Sequence, residues 1–146
     1  MTYTLQAVVT VADQIQSQLP PSLRSVSLGS NVKMIPFSSE VRRLHDIPFC
    51  PLTDDGQTAM PPQVLKLCEA LSQGRTLAYI EAVFFGGAGT QASVVFINGK
   101  QVARPVVSVT AINQALHILG VSKESAYDEF EAVGLGAYRD TDKWLE

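Results

Sequence analysis

The dipeptide Asn98-Gly99 constrains this chain more than any other feature, because it stands between two runs of strand-forming residues. Both central positions of a type I′ turn need positive φ, which asparagine and glycine tolerate and most residues do not. On one side lies "ASVVFI", on the other "KQVARPVV". The pair predicts a tight antiparallel hairpin, with a strand near Lys100 to Val107 following the turn. Pro105 has no N–H to donate, so it belongs at an edge or a strand end. Just upstream, "TLAYIEAVFF" is equally rich in β-branched and aromatic residues, and "GGAGTQ" joins it to "ASVVFI". A β-meander is therefore expected between Thr76 and Val107.

Around it the sequence predicts helices. Pro62 suits a first helical position, Val64, Leu67, Cys68 and Leu71 form one apolar stripe, and Gly74 is a natural stop. Ile112, Ala115, Leu116 and Leu119 mark a second helix, capped by Ser108 or Thr110 and ended by Gly120. A last helix is expected from Ser122 through Phe130 and Val133, followed by a turn-rich tail that docks Leu135, Tyr138, Trp144 and Leu145. Leu5, Val8, Ala12, Ile15 and Leu19 recur at helical spacing before Pro20-Pro21, so the N-terminal segment is read as a helix. The run Ala7 to Val11 also suits a strand. "SVSLGSNVKMIPF" reads as strand around a turn at Gly29-Ser30-Asn31, and "SSEVRRL" as one or two helical turns started by Ser38 or Ser39. From Asp46 to Pro62 five Pro and Gly residues punctuate a long loop, whose Ile47, Phe49, Leu52 and Met60 should pack down on the domain. The whole is a single α+β domain over residues 1–146. It has a small antiparallel sheet of three to five strands, with helices mainly on one face.

Composition excludes several functions. The 146 residues are 46% hydrophobic and 17% charged, which suits one soluble globular domain. A net charge of −3 argues against nucleic-acid binding through phosphate neutralisation. The excess acid lies after Glu81, chiefly in Glu124, Asp128, Glu129, Glu131, Asp140, Asp142 and Glu146, so a protein partner of basic character would meet that half. No Lys or Arg precedes Arg24, and no apolar run is long enough for export or a membrane span. Cys50 and Cys68 fit no metal-ligand spacing and read as free thiols of a reducing, cytoplasmic setting.

"GGAGTQA" is the segment that most resembles a functional motif, since Gly87 to Ala92 spells G-x-G-x-x-A. A dinucleotide site needs a helix directly after the glycines, and an acid about twenty residues on. Here six strand-like residues and a hairpin turn follow, and Val106 to Gly120 holds no acid. A P-loop needs Gly-Lys-Ser or Gly-Lys-Thr, but Gly99-Lys100 is followed by Gln101. The glycine loop of protein kinases matches locally at Gly87, Gly89 and Val94, yet the chain has no H-R-D or D-F-G string. The segment is thus a strand connection, with exposed amides available to a ligand or partner.

Glu81 shares its strand side with Tyr79, Val83 and Phe85. A carboxylate among aromatics is an acid–base candidate, or else it faces water or pairs with a cross-strand base. His45-Asp46, His117 and Arg42-Arg43 form no recognisable catalytic or phosphate-binding set, and two histidines without matching ligands make no zinc site. No cofactor is expected.

The two segments "AYIEAVFFGGAGTQASVVF" and "DEFEAVGLGAYR" resemble a strand–Gly-Gly-x-Gly-x-Gln–strand segment and a later segment of small bacterial proteins for which no reaction is established. The resemblance covers roughly a quarter of the chain and implies a shared domain. It directs attention to Gly86, Gly87, Gly89, Gln91, Gly134, Gly136 and Arg139. By analogy with immunity proteins it also implies partner binding. The expectation is a non-enzymatic interaction domain, with Glu81, Gly86, Gly87, Gly89, Thr90, Gln91 and Arg139 as candidate contact residues. The alternative is a small enzyme or ligand-binding protein whose site joins the glycine turn, Glu81 and the Pro-rich loop. Pairing of two copies at the Pro105 edge is a further possibility.

Overall fold

A computed structural model of the chain describes residues 2–11 and 19–146. Its centre is an antiparallel sheet of seven strands: β1 (Thr2–Thr10), β2 (Val26–Ser27), β3 (Lys33–Pro36), β4 (Thr76–Phe85), β5 (Ala88–Ile97), β6 (Lys100–Gln101) and β7 (Val106–Ser108). The order across the sheet is β2-β3-β1-β4-β5-β6, and β7 also pairs with β5. The four helices are α1 (Ser39–His45), α2 (Pro62–Leu71), α3 (Ala111–Ile118) and α4 (Glu129–Val133), followed by 3-10 helices at Leu135–Ala137 and Thr141–Leu145.

The hairpin turn behaves as the sequence predicts: Asn98 and Gly99 have φ of 48° and 84°, and Ile97 pairs with Lys100. The strand after it is split. Pro105 falls in the gap between β6 and β7, on the outer edge of β5, where its missing N–H breaks no ladder.

The largest correction is at the N-terminus. The expected helix from Leu5 is instead β1, while Ala12 to Gln18 lie outside the described residues. β1 runs between β3 and β4, and every residue from Leu5 to Thr10 is buried. A strand covered on both faces reads as a continuous apolar run, so the alternation that would mark it is lost. The last helix also starts later than Ser122. Asp128 accepts a hydrogen bond from Glu131 N–H at 2.9 Å and caps a single turn ending at Gly134.

The class is α+β with antiparallel pairing, but the sheet exceeds five strands and helices cover both faces. β3 and β4 lie on either side of β1, so α1, the Pro-rich loop and α2 cross over β1 on one face. Phe37, Val41, Ile47, Leu52, Val64 and Cys68 pack there against Val8, Tyr79 and Phe96. On the opposite face Ile112, Ala115, Leu116, Val133 and Leu135 pack against Leu5, Ala7, Ile80 and Val95. Two cores, one per face, fix the strand register, because a one-residue slip would move every side chain to the wrong layer. Among the described residues no helix is long and apolar enough to cross a membrane.

Candidate functional site

The structure separates two places that the sequence left joined. Glu81 lies at the middle of β4, opposite Gln6 of β1 and Ala92 of β5. The glycine turn is at the far end of the β4–β5 hairpin, about 17 Å further along at ~3.4 Å per residue.

Glu81 is fully buried, under the Pro-rich loop rather than in water or beside a base. Its Oε1 accepts from Thr53 N–H at 2.9 Å and Thr53 Oγ1–H at 2.8 Å. Leu52 N–H lies 3.2 and 3.3 Å from the two carboxyl oxygens, and Tyr79 O–H donates to Oε2 at 2.5 Å. Gln6 completes the network: its side-chain N–H donates to the Tyr79 oxygen and to the Pro48 carbonyl, and its Oε1 accepts from Cys50 N–H. Desolvation raises the Glu81 carboxyl above its ordinary range, opposed by the hydrogen bonds from Tyr79, Thr53 and Leu52. Burial likewise raises the Tyr79 phenol, with the neighbouring carboxylate adding to it. The group is a latch that ties the loop to the sheet. Its oxygens are directed at loop amides, not at an opening.

The glycine connection is shorter than it looks. Only Gly86 and Gly87 form the turn, with φ of 59° and 85°, and Phe85 pairs directly with Ala88. Gly89 and Thr90 already belong to β5. Gly89 pairs with Phe84, and a Cβ there would collide with the Val83 carbonyl oxygen and lie 2.7 Å from Phe84 Cα. Gln91 has a defined task. The N-cap residue of α3, Thr110, makes no capping bond with its side chain, and Gln91 Oε1 accepts from Ile112 N–H at 2.9 Å instead. A buried side chain of the sheet thereby satisfies an amide that the helix start leaves open.

At the turn a cleft of about 370 Å³ opens, lined by Thr2, Tyr3, Phe84, Gly87, Phe130, Gly136 and Arg139. Two glycine-containing segments of the sequence meet here, Phe84 and Gly87 from one, Phe130, Gly136 and Arg139 from the other. β1 contributes Tyr3, whose O–H donates to the Leu135 carbonyl at 2.7 Å and whose ring meets Phe130 at 5.7 Å between centroids. Arg139 is exposed, and its guanidinium makes no hydrogen bond or ion pair among the described residues. Its carbonyl oxygen accepts from Thr4 N–H, which ties the tail to the start of β1. A second depression, lined by Tyr127, Asp128, Phe130, Glu131, Gly134, Gly136 and Ala137, shares Phe130 and Gly136 with the first. Sequence reasoning missed Tyr3, Phe84 and Phe130.

Of the candidate positions, Gly87 and Arg139 share the cleft, Gly86 adjoins it in the turn, and Glu81 and Gln91 are buried in structural bonds. Thr90 is half-buried within β5. The remaining chemistry-bearing groups are scattered. His45 Nε2 lies 2.8 Å from Ser22 Oγ, His117 is exposed at the end of α3, and the Arg42 guanidinium stacks 5.1 Å above the Phe49 ring. Both cysteines are free and buried. Among the described residues no three His, Cys, Asp or Glu side chains gather as metal ligands. No protein family, curated protein or solved structure matches the chain.

Proposed function

We propose that the protein is a non-enzymatic binding domain that engages a protein partner at the glycine-turn end of the sheet. One observation carries this reading. Phe85, Tyr127, Tyr138 and Arg139 are all exposed at the elements that surround the turn, with Phe85 56% and Tyr127 83% accessible. Aromatic side chains and arginine are the residues that dominate binding energy at protein interfaces. The groups best suited to acid–base or nucleophilic work support the same reading, because Glu81, Cys50 and Cys68 are sealed beneath other chain. We read the mode of action as immunity-like: the domain covers a partner rather than transforming it. The two free cysteines support a cytoplasmic setting.

The acidic residues of the C-terminal half carry less of the argument. Asp128 caps α4, Asp142 accepts from Ser39 N–H and O–H, and Glu131 accepts from Tyr127 N–H. These bonds give several of the acids a local role, so a basic partner is not required by the charge.

The test uses the purified protein as bait at low and high salt, beside a Phe85→Ser, Tyr138→Ser double variant. The expected outcome is a partner retained by the wild type and lost by the variant. Retention of nothing, or equal retention by both baits, counts against the reading. A small-ligand reading is favoured by the cleft volume, which falls in the range of small-molecule sites. A thermal-shift screen of metabolites addresses it, since a ligand at a hundred times its Kd stabilises by about 2.7 kcal/mol.

A further inference from the structure

We propose that the cleft at the glycine turn receives the C-terminal residue of a partner chain. The apolar side chain of that residue lies against Tyr3, Phe84 and Phe130, and its carboxylate meets Arg139 and the Gly87 N–H. This rests on the partner-binding reading above and names the chemistry of the contact.

Four features favour a carboxylate on an apolar body. The guanidinium of Arg139 is unpaired among the described residues and lines the cleft, and its planar donors match a carboxylate two to two. Gly86 and Gly87 carry N–H groups that make no hydrogen bond to any described residue, and Gly87 lines the same cleft. The walls are aromatic: Tyr3 and Phe130 are tilted at 55° to each other, with Phe84 beside them. Finally, a volume of about 370 Å³ lies at the small end of ligand sites, so it admits one side chain rather than a helix or strand.

A monoanion fits better than a phosphate. One cation serves the cleft, and the adjoining depression presents Asp128 and Glu131, whose charge repels a dianion. A chain end also places the carboxylate and the apolar group on one residue, with the compactness this cleft requires. Capture of a terminal carboxylate by backbone N–H groups is a recurring mode of peptide recognition.

The experiment titrates ¹⁵N-labelled protein with acetyl-Gly-Gly-Phe as the free acid and as the C-terminal amide. The free acid is expected to shift the amides of Gly86, Gly87, Phe130 and Arg139 in a saturable way, with the amide at least tenfold weaker. Arg139→Gln should weaken the acid at least tenfold and leave the amide unchanged, while Arg139→Lys restores part of the difference. Equal affinity for acid and amide overturns the proposal, as do shifts confined to other surfaces or no saturation into the millimolar range. The two readings fail separately. A protein partner lost with Phe85→Ser, Tyr138→Ser but indifferent to Arg139→Gln overturns the cleft assignment alone. Acid-selective, Arg139-dependent peptide binding in the absence of any protein partner supports the cleft chemistry and counts against the interaction domain.

Discussion

Two polar anchors, Glu81 in β4 and Arg139 in the C-terminal tail, have opposite fates. Glu81 is inside, and its oxygens take donors from Leu52, Thr53 and Tyr79. Arg139 is outside, and its guanidinium takes none among the described residues. A buried charge without partners costs several kcal/mol, so the inside anchor must be satisfied by the fold itself. An exposed cation is satisfied by water and remains available to another molecule. The contrast teaches that polarity in this molecule marks structure where it is buried and recognition where it is not. Substitution can break the comparison from either side.

The largest effect is expected at the latch. Glu81→Ala leaves four donors beneath the loop without their acceptor, and should cost about 3–5 kcal/mol. Urea denaturation measures it. Hydrogen exchange should show Leu52 and Thr53 amides losing protection before the rest of the sheet. A loss below 1 kcal/mol would mean that the loop is held by its apolar residues alone.

A second effect is the pH dependence of the latch. Burial raises the folded pKa of Glu81 above its ordinary 4.5, so the folded state holds the proton more tightly than the unfolded chain. The contribution to stability is therefore complete below pH 4.5 and is lost as pH rises through the folded value. Between the two pKa values the slope approaches about 1.4 kcal/mol per pH unit. The difference in unfolding free energy between wild type and Glu81→Gln, followed from pH 4 upward, should fall in that direction. A difference that rises with pH would show that the hydrogen bonds outweigh desolvation.

Gln91 stands between the extremes, since it lies close to the turn yet serves the interior. Gln91→Leu removes the acceptor for Ile112 N–H and should cost about 1 kcal/mol, the usual price of a lost helix cap. Unchanged melting would show that water takes over the amide. The smallest effect is expected at Arg139. Arg139→Gln should change stability by less than about 0.5 kcal/mol, because the lost charge had no partner in the fold. A larger loss would make Arg139 a structural residue and dissolve the comparison.

How much of this was legible in advance depends on the range of the interaction. The Asn98-Gly99 turn, the β4–β5 hairpin, α2 and α3 are set by local residues, and the sequence predicts them. β1 was misread because its partners are distant: Val8 pairs with Ile35 and Tyr79, and burial on both faces erased its alternation. The raised carboxyl of Glu81 was anticipated from its aromatic neighbours, but its real partners come from a loop 28 and 29 residues earlier. Nothing near Gln91 announced a helix that starts twenty residues later. The glycines at 86 and 87 proved to be a two-residue turn, and their meeting with Arg139 depends on the tail pairing alongside β1 at Thr4.

The position of β1 also bears on how the chain acquires its shape. β1 precedes every other strand described here yet is among the most central in the sheet, and its long ladder needs Thr76–Phe85. Until β4 has been made, Leu5 to Val9 lack the strand that pairs along their whole length, because β3 reaches only Ala7 to Thr10. Pairing between such distant segments makes assembly slow, since long loops must close before contacts reward them. Truncation before β4 should therefore leave an aggregating fragment rather than a small folded one.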